Sequence, residues 1–302
     1  MTVPLTSIDP RYVGARRVLL DALVALAEHR DAVILAGAQA IYLQTDDAVL
    51  DASVAPFTQD ADLTIDPAQL GPDPQIVAAM RQANFHLKIK NGGGEEPGTW
   101  LTTIVVDGQP QVVPVDLLVP DALAVGNGKR DARLPDHGRH ATRRTPGLEA
   151  AILDHTTMEI TSLEPEVDTR HAHIRVAGVA ALLVAKAHKI TDRLADADLG
   201  RLDRVKPKDA GDVVRLMRSR QSVATIGARL AEMSHHPTLG DSVSGGVQRL
   251  AVLFSRPRTR GVDLAVDALA TALTENDIRA LAPAYINVLL AAYRQAGGRW
   301  QS

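Results

Sequence analysis

Cysteine is absent from the 302-residue chain, which removes disulfides, thiolate zinc sites and a cysteine nucleophile together. Any metal must then be held by oxygen or imidazole. Aromatic residues make up 3% of the chain, too few for a surface that stacks successive bases, so Trp100 and Phe57 are expected in the core. No stretch approaches the ~20 consecutive apolar residues that cross a bilayer, and no basic segment followed by an apolar run opens the chain. A soluble, cytoplasmic protein is expected. Positive charge is not in excess: the formal net charge is -3, so any nucleic-acid contact is confined to one face rather than driven by the overall field. No G-x-x-x-x-G-K-[ST] or G-x-S-x-G segment occurs, which excludes P-loop and α/β-hydrolase chemistry, and Gly126-Asn127-Gly128 lacks the third glycine of a dinucleotide fingerprint.

What is present is apolar residue in quantity, 45% of the chain, enough to bury a substantial core in two domains. From Arg11 to His29 the residues Val18, Leu19, Ala22, Leu23 and Leu26 recur at helical spacing. The run Ala32 to Leu35 predicts a short buried strand, closed by Gly37 and followed by a helix over Ala38 to Gln44. Alternation predicts strands over Asp60 to Ile65, Phe85 to Ile89, Trp100 to Val106, Gln111 to Val119, Met158 to Leu163 and Arg170 to Val176. Asn91 to Gly98 has loop composition, Asp107-Gly108 is a tight hairpin turn, and Gly126 to Gly147 is a long basic loop broken by short pieces of structure. After Val176 every segment carries helical spacing. The expected organisation is an α/β domain over 1–176, a mixed sheet with flanking helices, followed by an all-helical C-terminal domain over 177–302.

Within TQDADLTID, Asp60 and Asp62 stand two apart on a strand and point to one face. Asp116 lies inside the apolar strand VVPVDLLV, where an ionised carboxylate is costly unless a cation or hydrogen bond compensates it. Three carboxylates from neighbouring strands suit magnesium, which takes oxygen ligands at ~2.1 Å and keeps room for substrate phosphates. Asp116 is the expected proton acceptor. The strand, Gly37 turn and helix add free backbone N–H groups and close approach for phosphate.

Taken together, LAGAQAIYLQ, TQDADLTID and VPVDLLV resemble the signature of the nucleotidyltransferase superfamily, with Gly37 as its glycine and Asp60, Asp62 and Asp116 as its carboxylates. Ala38 stands where the superfamily usually has Gly or Ser, leaving Gln39 or Thr58 as the expected donor to phosphate. Within the superfamily the chain is similar to the AbiEii-type and MenT-like toxins of toxin–antitoxin systems. Thr58 precedes the first aspartate by two, and LLVAKAHKITDR and RVKPKDAGDVVRLM match the later basic and acidic segments. The resemblance implies that Lys186 or Lys189, with Arg193, contacts triphosphate and that Asp209 and Asp212 hold or orient it. It implies a magnesium-dependent transfer of a nucleoside monophosphate from an NTP to an acceptor such as the 3′ end of a tRNA, by a toxin with a cognate antitoxin. A small-molecule transferase that modifies an antibiotic and a catalytically inactive nucleotide- or RNA-binding module are the alternatives. Two further signals stand outside this scheme. Lys129, Arg130, Arg133, Arg139, Arg143 and Arg144 make the long loop basic, and His171 and His173 share a strand face, with no third ligand in sight to make them more than polar surface.

Overall fold

The structure is a computed structural model that describes residues 8–45, 58–126 and 130–300. Lys129 and Phe57 lie outside these residues, as do the last two of Gly126-Asn127-Gly128. The chain divides into two compact units, Met1–Ala40 with Ala55–Thr145 and Thr156–Val176, and Ile41–Val54 with Pro146–His155 and Ala177–Ser302. The expected division at 176/177 is therefore supplemented by two earlier segments that join the helical unit. Chain order hides such excursions. Among the described residues no helix is long and apolar enough to cross a membrane.

The first unit opens with α1 (Pro10–Ala25), which Pro10 starts and Asp9 caps by accepting the Arg11 N–H at 2.8 Å. Its buried stripe includes Val18, Leu19 and Ala22. The elements that follow are β1 (Val33–Ala36), α2 (Gly37–Gln44), β2 (Ala61–Ile65), α3 (Ile76–Gln82), β3 (His86–Ile89), β4 (Glu95–Val106) and β5 (Gln109–Pro120). Next come β6 (Asp131–Ala132), β7 (Thr142–Thr145), α4 (Glu149–Leu153), β8 (His155–Thr161) and β9 (His171–Ala177). The strands form an open mixed sheet in the order β3-β4-β5-β2-β1-β9-β8, with β7 also paired to β5 and β6 to β7. β1 runs antiparallel to β2, β2 parallel to β5, and β1 parallel to β9.

Two turns explain the register of the longest pair. Asp107 and Gly108 both have positive φ, 50° and 74°, the backbone of a tight hairpin whose twist matches its strands. The ladder runs from Val106↔Gln109 to Thr99↔Asp116. Beyond Asp116 the same edge of β5 is taken by β7, from Leu118↔Arg143 onward. Gly98 sits at this exchange with φ +69, where a Cβ would lie 2.4 Å from the Arg143 nitrogen and 2.6 Å from the Leu117 oxygen. The loop predicted over Asn91 to Gly98 ends four residues early, because β4 opens at Glu95, which pairs with Ile89 of β3. The short pieces of structure expected in the long basic loop include β6 and β7, and its Arg144 donates to the Ala124 and Gly126 carbonyls, each at 2.7 Å. Two short helices, α3 and α4, also fall where no periodicity was legible.

α1 packs against β2, β4 and β5. Its Gly14 comes against Gln111 and Val106, so it covers the sheet face that carries Val113, Val115 and Leu117. Asp116 and, by register, Asp62 face the other way. The indole of Trp100 is fully buried and donates to the Ala141 carbonyl at 3.0 Å, a core role as expected.

The second unit is built from α5 (Val179–Asp198), α6 (Pro207–Met217), α7 (Val223–Ser234), α8 (Gly240–Phe254), α9 (Arg260–Leu269) and α10 (Glu275–Gln295), with α4. α5 packs on α8, α6 on α9 and α7 on α10, around Val184, Leu230, Phe254, Ile286 and Tyr293, all buried. The segment around α4 joins this unit because its flank meets α5: a Cβ at Gly147 would lie 2.6 Å from that of His188.

Candidate functional site

β1 delivers the chain to Gly37, whose φ of +64 turns it into α2. Opposite stands Asp62, paired in register with Ala36 on one side and with Asp116 on the other. A Cβ on Gly37 would fall 1.9 Å from Oδ2 of Asp62. The carboxylate thus rests against a bare Cα at the helix N-terminus, where the helix dipole favours negative charge. Gly37→Ala is expected to destabilise the fold by about 1–3 kcal/mol, since it adds a side chain both at positive φ and into that carboxylate. A urea midpoint unchanged from the wild type would show that Asp62 yields freely.

Asp60, at the entry to β2, accepts a hydrogen bond on Oδ1 from the Thr58 hydroxyl at 2.5 Å. Gln39 is buried with its amide engaged on both sides. It donates to the carbonyls of Ala15 and Asp60, each at 3.1 Å, and accepts from Nε of Arg16 at 2.9 Å. Gln39 therefore fixes the backbone at Asp60 rather than presenting a free donor. Arg16, itself buried, also donates to the Tyr12 hydroxyl and the Thr161 carbonyl. Its position is legible afterwards as a cation on the apolar stripe of α1, at i+3 from Val13 and i−4 from Leu20. Ala38 is buried and presents no hydroxyl.

Asp116 has a partner on each oxygen: the Thr99 hydroxyl donates to Oδ1 at 2.7 Å and Arg143 to Oδ2 at 2.7 Å. Arg143 comes from β7 and also lies 3.9 Å from Glu96. Thr99, Arg143 and Glu96 were not singled out as partners of Asp116, because strand adjacency, not spacing, brings them there. Glu96 is shared further with Lys88 at 3.1 Å and Arg130 at 4.0 Å. Asp62 and Asp116 are thus neighbours on one sheet face, with Asp60 at its rim. Their carboxylates are more widely spread than a closed metal shell. Among the described residues the one trio of His, Asp or Glu with ligand atoms all within 4.8 Å is Glu159, His171 and His173.

The other residues singled out from sequence form a separate cluster inside the second unit. Lys186 of α5 donates to Asp209 at 2.8 Å and Asp212 at 2.7 Å, both on α6, and all three side chains are 6% exposed. Lys189 lies 3.8 Å from Asp209, Arg193 bonds Asp209 directly, and Lys208 lies 3.6 Å from Asp212. Burial opposes the charge on Lys186, yet Asp212 and Asp209 outweigh it and hold its pKa above that of an ordinary lysine. Burial likewise opposes ionisation of Asp209, but Lys186, Lys189 and Arg193 prevail and hold its carboxyl well below the usual range. The signs fix a pH window. A depressed carboxylate stabilises fully above its unfolded value of ~3.9 and loses that contribution as pH falls toward the folded value; a raised lysine stabilises fully below ~10.4 and loses it above. Urea midpoints of the helical unit are therefore expected to hold their share from this cluster between about pH 5 and 10 and to lose it progressively below pH ~4.

Within the basic loop, His137 is buried edge-on against His29 at 5.2 Å, and burial pushes its imidazole below the ordinary pKa. Arg144 lies 3.3 Å from Asp121 in addition to its carbonyl contacts. Arg143 and Arg144 thus pin the loop to the sheet instead of extending from it. No family model, curated protein or solved structure matches this chain.

Proposed function

We propose that this chain is a magnesium-dependent nucleotidyltransferase that moves a nucleoside monophosphate from an NTP to an acceptor hydroxyl and releases pyrophosphate. The observation that carries the reading is the strand–Gly37–helix turn with Asp62 against the bare glycine and Asp116 beside it in register. The donor set is all oxygen, which fits magnesium. When bound, magnesium supplies charge neutralisation of the triphosphate and a fixed orientation for it.

The chain's own groups do the rest. The acceptor oxygen forms a bond to the α-phosphorus while the α–β bridging bond breaks, and the hydroxyl proton passes to Asp116. Arg143, released from Asp116, moves its charge onto the phosphates, and Thr58 keeps Asp60 oriented. By resemblance the acceptor is the 3′ end of a tRNA, the setting is the cytoplasm, and the protein acts as a toxin with a cognate antitoxin. Lys186, Lys189, Arg193, Asp209 and Asp212, which the resemblance also matches, are engaged with one another inside the second unit, and no step is assigned to them.

A second reading, a module that binds nucleotide or RNA without chemistry, is favoured by the engagement of both Asp116 oxygens and by Ala38. Calorimetric titration with each NTP separates site from no site. Binding that needs magnesium and is lost in Asp60→Ala/Asp62→Ala supports either reading over none. Binding that survives in chelator, or in the double variant, overturns the site.

A further inference from the structure

We propose that Glu159, His171 and His173 form a second metal site, one that takes a divalent transition metal of the zinc class. It is separate from the aspartates, lying at one end of the strand order, where β8 is the edge and β9 its neighbour, while β2 and β5 are central. His171 and His173 alternate onto one face of β9, and β8 supplies the third ligand that the sequence alone did not reveal. Nδ1 of His171 is 3.0 Å from a carboxylate oxygen of Glu159. The two imidazoles stand edge to face with centroids 6.3 Å apart. One ligand atom from each of the three residues lies within 4.8 Å of the other two.

The donor set decides which ion fits. Two imidazoles and one carboxylate suit zinc and its transition-metal neighbours, whereas magnesium prefers oxygen alone. Ligands held at ~2.0–2.1 Å around a tetrahedral ion stand ~3.3 Å apart, so the ligand atoms, all within 4.8 Å of one another, need close by at most about 1.5 Å. All three are exposed and free to do so.

Three protein ligands leave coordination positions open. By register the two histidines share the sheet face of Asp62 and Asp116, opposite the face that α1 covers. That pattern, three protein ligands and an open position, distinguishes sites that present a metal to another molecule from closed structural ones.

The test uses the full chain, stripped with chelator and dialysed. Zinc titration by calorimetry is expected to show one site, and cobalt substitution is expected to give the visible absorption of a nitrogen- and oxygen-ligated ion. His173→Ala and Glu159→Gln should each weaken binding at least tenfold with an unchanged circular dichroism spectrum, while His235→Ala/His236→Ala, which removes a histidine pair of the second unit, His235 exposed and His236 half-buried, should leave it intact. Absence of a zinc site, equal affinity in His173→Ala, or loss of binding in the His235/His236 variant would each overturn the proposal.

Discussion

Asp62→Asn is expected to reduce pyrophosphate release by roughly a thousandfold, about 4 kcal/mol at 1.36 kcal/mol per tenfold, with the melting temperature unchanged. Asparagine keeps the shape of aspartate, so the space beside Gly37 stays filled and the β2–β5 register is undisturbed. What it removes is charge. Asp62 stands against the glycine turn at the start of α2 and next in register to Asp116, so its negative charge falls where the proposed site would hold a divalent ion. The effect should fall on turnover, and raising magnesium should restore part of it. A variant as active as the wild type would remove Asp62 from the reaction, and a collapsed melting curve would make its role structural.

Lys186→Met is expected to lower the stability of the helical unit by about 3–5 kcal/mol, because it strands two buried carboxylates without their central cation. Lys189, Arg193 and Lys208 are partly exposed and reach Asp209 or Asp212 from the solvent side, so they compensate only in part. The matched control is informative. Lys186→Met/Asp209→Leu/Asp212→Leu should recover most of the loss, since apolar residues of similar volume often replace a buried ionic group at little cost. Lys208→Ala, at a side chain 43% exposed, should change stability by less than ~1 kcal/mol. Urea unfolding of the three variants, followed by circular dichroism, checks the series.

Much of this arrangement is local and was legible without coordinates. The apolar stripe of α1, the strand–glycine–helix run at Gly37, the Asp107-Gly108 hairpin and the change to helical spacing after Val176 each depend on residues within one or two turns of each other. The strand expected to open at Asp60 opens instead at Ala61, which leaves Asp60 just before β2. What escaped depends on which strands become neighbours. Arg143 looked like one cation among many in a basic loop, and only the exchange of β4 for β7 along the edge of β5 places it on Asp116. Glu159 joins His171 and His173 for the same reason. Gln39 was an available donor by composition, whereas packing against α1 consumes its amide. The short helix α4 was missed because five residues carry too little period to register.

The central claim is that the carboxylates on β2 and β5 serve phosphoryl transfer. The most direct measurement is transfer of label from each α-labelled NTP to total tRNA, with the purified chain, magnesium and an Asp60→Ala/Asp62→Ala control. Magnesium-dependent labelling by the wild type with at least one NTP, absent from the control, is the predicted result. Equal labelling by both proteins, or none by the wild type with any NTP or acceptor, would contradict it.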